Sequence, residues 1–507
     1  MKMQVKEIAV KDLLQEAEKM SAKGTHPLTA MFGRDEANAG KGLSLYVVFE
    51  FPELKGLQAL KAVFGKEEEL AYESLTHIIP AAAWYEREIQ DMFGSIPKGH
   101  PDPRPLVLHE NFPEDFHPLL KKYPKDADVP VVSERKFTMH TADGEGVFQV
   151  PVGPIHAGII EPGHFRFSQA GESMLQLDAK LFYTHRGLEK AMEGLSPLEA
   201  LPIVERICGA CSIANTWSFC QAVESAFNIS VPRRAEIIRT ILLEIERITN
   251  HIGDLGNIPA GVGFSFASAL GCRTKEMMMR LQEAIAGNRF LRGMIIPGGA
   301  AFDLTPELSN KITETLAAAE KNVADLKQIF AQQDGFQDRV RTTGIVRNKT
   351  AVDLALVGVG ARASGYQHDS RLDFAYGVYP ELKLQAVTKE GGDVAARLGV
   401  RLDELAESFR LVHLMLNLLQ ACPETKLAAE LGELQGECEG AGISESARGS
   451  DYCYTAFSAD GKIDRIFVRS ASYANWPALP IAVQGDIIPD FPLINKSFEL
   501  CYACLDR

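Results

Sequence analysis

Two short stretches carry residues whose type and spacing suit chemistry. "VERICGACSIAN" (204–215) holds Cys208 and Cys211, and "KSFELCYACLDR" (496–507) holds Cys501 and Cys504. Thiols at i, i+3 spacing can turn both sulfurs toward one point. A single such pair is ambiguous: half of a zinc site, a thioredoxin-like redox pair, or two buried structural thiols. Two pairs can converge on one tetrathiolate site, which suits zinc, iron–sulfur iron or another soft-preferring metal such as nickel. Zinc ribbons carry their pairs about 15–20 residues apart, whereas these lie about 290 residues apart. That separation calls for a site built from distant elements at the centre of a large domain, the setting of a catalytic metal more than of a structural zinc. A free cysteine has a pKa of about 8.5, and a cation or helix N-terminus lowers it. Arg206 and a helix expected from Ser212 would do so for the first pair, and Arg507 for the second. Cys220, Cys272, Cys422, Cys438 and Cys453 have no such pairing and read as buried small hydrophobes.

The elements that must position these boxes follow from composition and periodicity. A chain of 507 residues is long enough for two or more domains. Its 46% hydrophobic and 24% charged residues are the balance of a globular protein. A net charge of −14 argues against nucleic acid as a partner. The start, "MKMQVKEIAVKDLLQEAEKM", has no secretory core, and no later run approaches the roughly 20 apolar residues of a membrane span. Nine cysteines without a disulfide-like spacing point to a reducing cytoplasm.

Residues 1–125 read as a small mixed α/β unit. "LSLYVVFEF" (43–51) is β-rich, and 69–94 passes from strand-like to helical. The proline-laden stretch 96–124 excludes regular elements, and 126–149 is the expected linker. From 150 to 507 the pattern is mainly helical, with short peripheral β elements, so the chain as a whole is α+β. Ile238, Ile241, Leu242, Ile245, Ile248 and Ile252 mark one helical face over 231–256, with Pro232 in the first turn and Gly256 as the stop. Segments 305–333 and 402–420 repeat the pattern. Residues 198–227 read as helix, break, helix, with the first box at the break. Asp460-Gly461 marks a hairpin within 451–472. "GVGARASG" (358–365) fails the spacing of a dinucleotide loop.

The two boxes resemble the nickel-binding signatures of the large subunit of nickel–iron hydrogenases, closest to the membrane-bound, energy-converting group that includes formate hydrogenlyase. "GPIHAGIIEPGHFRF" (153–167), "YTHRGLEKAMEG" (183–194), "VGARASG" (359–365), "ARG" (447–449) and "NWPALPIAVQGDIIPDFPLINKSF" (475–498) resemble family segments in the expected order. "WYEREIQDMFGSIPKGHPDPRPL" (84–106) is similar to the 30 kDa-type subunit of respiratory complex I, and the rest to its 49 kDa-type partner. The resemblance implies that Cys208 and Cys501 are terminal nickel ligands. It makes Cys211 and Cys504 bridges to an iron carrying CO and cyanide, Glu161 a proton acceptor, and Arg448 a guanidinium over the open metal face. Splitting H2 needs Lewis-acidic metal and a positioned base, and a terminal thiolate such as Cys501 is the first candidate.

The chain has no Cys₄ iron–sulfur run of its own. Iron–sulfur clusters are therefore expected only in a partner, an iron–sulfur small subunit. Other hydrogenase subunits, including a membrane arm, and maturation proteins for nickel insertion are implied as well. The expected location is the cytoplasmic side of the inner membrane, reached through those partners. Family members are commonly trimmed three residues after the last cysteine, so a chain ending at Arg507 is either processed or encoded without a tail. Three positions depart from the family: Asn215 replaces a histidine, Glu499-Leu500 replaces Asp-Pro, and Ser450 stands where a glutamate is common.

Each secondary residue has a plainer reading. Glu161 could be a solvated carboxylate, and Arg448 could brace a turn. His156 and His164 could be structural, and Glu224 could form an ordinary ion pair. Two rival functions remain: a complex I-like quinone-site electron-transfer subunit without nickel, and a zinc-stabilised interaction protein.

Overall fold

The computed structural model describes residues 3–65, 69–133, 137–156, 160–432, 434 and 436–507. Residues 134–136 of the expected linker region and 157–159 within the family-like 153–167 lie outside the described residues.

The chain begins with a four-stranded sheet. Gln4–Ala9 pairs in parallel with Gly56–Val63, which pairs antiparallel with Leu43–Phe51, which in turn pairs with Leu28–Asp35. The Leu43–Phe51 strand is buried along its whole length, which explains its unalternating sequence: both faces of the sheet are covered. Helices Leu13–Ser21 and Ala83–Phe93 lie against one side. A second sheet covers the other, formed by antiparallel strands Cys438–Ser446, Gly449–Phe457 and Ile463–Arg469. The join is aromatic. Phe32 lies 4.7 Å, centroid to centroid, from both Tyr454 and Phe467, and Tyr46 lies 5.2 Å from Tyr454. Such pairs contribute about 0.5–1.5 kcal/mol each beyond area burial. Two polar ties reinforce the contact between the N-terminal sheet and the rest: Glu50 with His368 at 2.6 Å, and Arg34 with Asp464 at 3.2 Å.

The hairpin turn at Asp460-Gly461 forms as expected between the last two of these strands. Residues 99–146 carry no helix or strand among those described, though Ile96–Lys98, at the start of the proline-rich stretch, pairs with Ala71–Glu73.

Helices Arg233–Ala260, Ser265–Ala286, Pro306–Gln332 and Val394–Ala421 pack together as the helical body. The first-box helix, Ser212–Ala226, lies directly on the Cys438–Ser446 strand. That approach needs Gly440 and Gly442, because a Cβ at either would stand 2.1 Å from a helix carbonyl oxygen.

Two details depart from the helix pattern read in the sequence. Pro232 precedes the first helical residue, and Gly256 does not stop the helix, which continues to Ala260. Gly256 instead faces Gly271 of the next helix, where a Cβ on Gly271 would lie 2.4 Å from the Gly256 Cα. Glycine here serves a close crossing of two helices. Gly271→Ala should therefore destabilise the chain by about 1–3 kcal/mol through overpacking against a rigid backbone. A denaturation midpoint identical to wild type would rule the crossing out.

Candidate metal centre

The first box sits in the break between helices Pro197–Val204 and Ser212–Ala226. The preceding helix starts on a capping box formed by Ser196 and Glu199. Glu246, buried on the long central helix, accepts hydrogen bonds from the Ile213 and Ala214 amides at 2.7 and 3.2 Å. It thus caps the helix whose N-terminal residue is Cys211. Asn250, one turn further along, donates to the Ala210 carbonyl at 2.7 Å and fixes the loop between the two thiols.

The second box follows helix Phe491–Phe498. The backbone turns back through Glu499 in the left-handed region (φ 53°), and Cys501 then caps the short Tyr502–Asp506 helix. The Cys501 amide donates to Ser472 Oγ at 2.9 Å, and the Ala503 amide to Glu161 Oε2 at 2.9 Å. One side chain ties the two boxes together. The Arg186 guanidinium donates to the Arg206 and Ile207 carbonyls ahead of the first box at 3.0 and 2.9 Å, and to Ala503 O inside the second at 2.7 Å.

The four sulfurs converge. Cys208 Sγ and Cys501 Sγ are 3.4 Å apart, and the sulfurs of Cys208, Cys501 and Cys504 all lie within 4.8 Å of one another. Cys211 lies outside that group of three but near Cys208 and Cys504, whose thiols shift its own. None is in a disulfide. Around one soft ion with bonds of about 2.3 Å, sulfurs stand about 3.3–3.8 Å apart, so this donor set fits a thiophilic metal.

Hydrogen bonds from Cys211, and then from Cys501 and Cys504, hold the Cys208 thiol well below the usual cysteine range. The same bonds to Cys208, together with burial, push Cys501 and Cys211 well above it, and Cys504 likewise. The four thiols are thus coupled, and a bound cation would favour ionisation of all of them.

The charged surroundings differ from those expected. Arg206 points outward and bonds to Pro202 O, while Arg507 is taken up by Glu88 and Glu189, so neither serves the thiols. The cation facing the site is Arg448, buried and bidentate to Asp254 at 2.7 and 2.9 Å. Burial alone would raise Asp254, but Arg448 and Arg401, the latter at 2.8 Å, hold it well below the ordinary carboxylate range. Three neighbouring carboxyls move the other way. Burial pushes Glu246 up to about 8 and Asp451 to about 7, and burial with the Asp254 charge pushes Glu499 to about 7.

The remaining sequence candidates find plain roles. Asn215 donates to the Cys211 carbonyl at 2.8 Å rather than to a sulfur. Glu224 pairs with Arg239 at 2.6 Å. His156 and His164 each bond a loop carbonyl, those of Gly163 and Gly153. Among the unpaired cysteines, Cys220 and Cys453 are buried, but Cys272 is exposed and Cys422 and Cys438 are half-buried. Arg186, Glu246, Asp254 and Asp451 were missed in the sequence. Arg186 lies inside a quoted family-like segment, and Glu246 and Asp254 flank the apolar face of the central helix; nothing local marks Asp451.

Three family models match: the 30 kDa subunit of respiratory-chain NADH dehydrogenase over 3–129, nickel-dependent hydrogenase over 186–254, and the 49 kDa subunit of that dehydrogenase over 262–432. Formate hydrogenlyase subunit 5 of Escherichia coli K12 is 32% identical, covering 95% of this chain and 84% of its own length. The C/D subunit of NADH-quinone oxidoreductase from Bacteroides thetaiotaomicron is 26% identical over 89% and 88%. A chain of the archaeal membrane-bound sulfane sulfur reductase superposes with a TM-score of 0.67 at 23% identity, over 72% of this chain and 99% of that one, which shows a shared fold.

The raised Glu246 carboxyl has a consequence for stability. Unfolded, it titrates near the usual value of about 4.3, so between that and about 8 the folded chain holds the extra proton. Stability of the metal-free chain then falls as pH rises through this window, by on the order of 4 kcal/mol from this one group. Glu246→Gln should flatten that slope in denaturant melts at pH 5.5 and 8.5. An unchanged slope would exclude the assignment.

Proposed function

We propose, from the premise that this chain belongs to the family of nickel-hydrogenase large subunits with fused complex I 30 kDa-like and 49 kDa-like parts, that it is the catalytic large subunit of a nickel–iron hydrogenase complex interconverting H2 with two protons and two electrons. The observation that carries this reading is the meeting of Cys208, Cys501 and Cys504 within 4.8 Å, with Cys211 beside them. Cys208, Cys211, Cys501 and Cys504 would hold a nickel–iron group whose iron would carry CO and cyanide. That bimetallic group supplies Lewis acidity and electron storage when bound.

The chain's own residues do the rest. Cys501 Sγ is the first proton holder. Glu161, anchored through Oε2 to the Ala503 amide between the two second-box thiols, is placed to take the proton onward. Arg448 stays charged because Asp254 pairs with it on both nitrogens, and it offers a fixed positive charge beside the centre without a proton to give. Burial of Cys208, Cys211 and Cys504 keeps bulk water from the sulfurs.

Electrons leave through an iron–sulfur small subunit, since this chain holds no second set of cluster-binding cysteines in its sequence. No helix among the described residues is long and apolar enough to cross a membrane. Attachment to the cytoplasmic side of the inner membrane, through a membrane arm, belongs to the same proposal, as does nickel insertion by maturation proteins. The division into a 30 kDa-like part (1–125), a linker (126–149) and a catalytic part (150–507) is proposed with it.

The NADH-quinone oxidoreductase relatives support a second reading, a quinone-site electron-transfer subunit without nickel. The first box, however, lies inside the residues matched by the nickel-dependent hydrogenase model. Cys501→Ser separates the two. In a hydrogenase it should remove nickel and lower H2 uptake by at least about 100-fold, at or beyond the upper range seen for loss of an outer-shell partner. Retention of electron transfer with no nickel in the wild type, and no infrared bands from iron-bound CO or cyanide, would establish the quinone reading instead.

A further inference from the structure

The second cysteine box is anchored at its far end by the N-terminal unit. Arg507, three residues beyond Cys504, is buried, and its Nη2 lies 2.6 Å from both carboxylate oxygens of Glu88 on helix Ala83–Phe93. Its Nη1 pairs with Glu189 Oε1 at 3.1 Å and also donates to the Val468 carbonyl. Glu189 Oε2 in turn takes Arg465 at 2.7 Å, and Arg465 reaches the Gly33 carbonyl of the N-terminal sheet at 3.1 Å. Two guanidiniums thus balance two carboxylates, with the Phe467 and Tyr473 rings 5.2 and 5.1 Å from the Arg507 guanidinium. The Arg186 amide closes the socket on the Arg507 carbonyl at 2.9 Å.

The Tyr502–Asp506 helix that carries Cys504 has five residues, far too few to be stable alone. Its shape is imposed from outside, by Ser472 on Cys501, Glu161 and Arg186 on Ala503, Ser470 on Cys504, Thr184 on Asp506, and at its far end by Arg507 in this socket. We propose that Glu88 is a positioning residue for the metal centre: through Arg507 it holds the second-box helix, and so the Cys504 sulfur, in register with the first box. The N-terminal unit then has a part in building the centre as well as in packing. The metal-content arm of this proposal rests on the hydrogenase reading; the structural arm does not.

The test uses the whole complex with Glu88→Gln and Glu88→Asp, reading amide exchange along the chain and nickel and iron per chain. Glu88→Gln should speed exchange over 499–507 by about tenfold or more while strands 28–63 keep wild-type rates, and should at least halve metal content. Glu88→Asp, which keeps the charge, should retain most of the metal. Unchanged exchange over 499–507, faster exchange spread equally over 28–63, or full metal content in Glu88→Gln would each overturn the proposal. A wild-type complex without nickel would overturn the hydrogenase reading, and the exchange measurement would still decide the role of Glu88.

Discussion

Everything near the centre answers to one constraint: two boxes about 290 residues apart bring the sulfurs of Cys208, Cys501 and Cys504 within 4.8 Å of one another, with Cys211 beside them. Like charge cannot be gathered in a buried place without compensation. Among the thiols, Cys208 is held low while the other three are pushed up. The surroundings follow the same logic. Glu246 and Asp451, which would add negative charge beside Cys208, are pushed toward the protonated form, while Arg448 is kept charged by a carboxylate on its far side. The surroundings are therefore arranged to limit negative charge beside the sulfurs and to set one fixed positive charge facing them.

The compensation continues outward as a lattice of buried ions. Asp254 joins Arg448 to Arg401, and Glu404 joins His251 to Arg362 at 2.8 and 2.7 Å. Arg362 reaches Glu445 at 2.7 Å, and its Nη1 also donates to the backbone of His368, whose ring bonds Glu50 in the N-terminal sheet. Such pairs add little net stability over a well-packed apolar core, but removing one partner leaves a buried charge and costs about 3–5 kcal/mol. Their effect is to make one arrangement of helices and sheets far better than its neighbours. A thiol cluster assembled from boxes about 290 residues apart needs that uniqueness more than it needs stability.

Much of this was legible in the sequence, and the limits have physical causes. Helical faces at i, i+3, i+4 spacing and the Asp-Gly turn are local signals, and those elements formed where the pattern placed them. The spacing within each box is local too, but each alone is ambiguous, and only the two together marked a candidate metal site. What the sequence did not reveal is which charges meet. Arg206 is nearest Cys208 in sequence yet faces solvent, whereas Arg448, the cation that faces the site, is about 240 residues away. Gly256 reads as a helix stop because glycine usually is one, and only the approach of a second helix shows that it serves a crossing. Asn215 shows the same limit at the scale of one turn, since its amide found a carbonyl before it could find a sulfur.

The N-terminal sheet bears on why a complex I-like part and a thiolate centre share one chain. One face is packed on strands Gly449–Phe457 and Ile463–Arg469, through Phe32, Tyr46, Tyr454 and Phe467. Its polar residues end in the charged lattice, through Glu50, and on strand Ile463–Arg469, through Arg34. A domain that merely docked would leave a polar, separable seam; this one contributes aromatic surface and buried charges to the interior. What sets the thiolate centre apart within that interior is its innermost layer, where the two cysteine boxes lie among carboxyls, Glu246 and Asp451, that burial pushes upward.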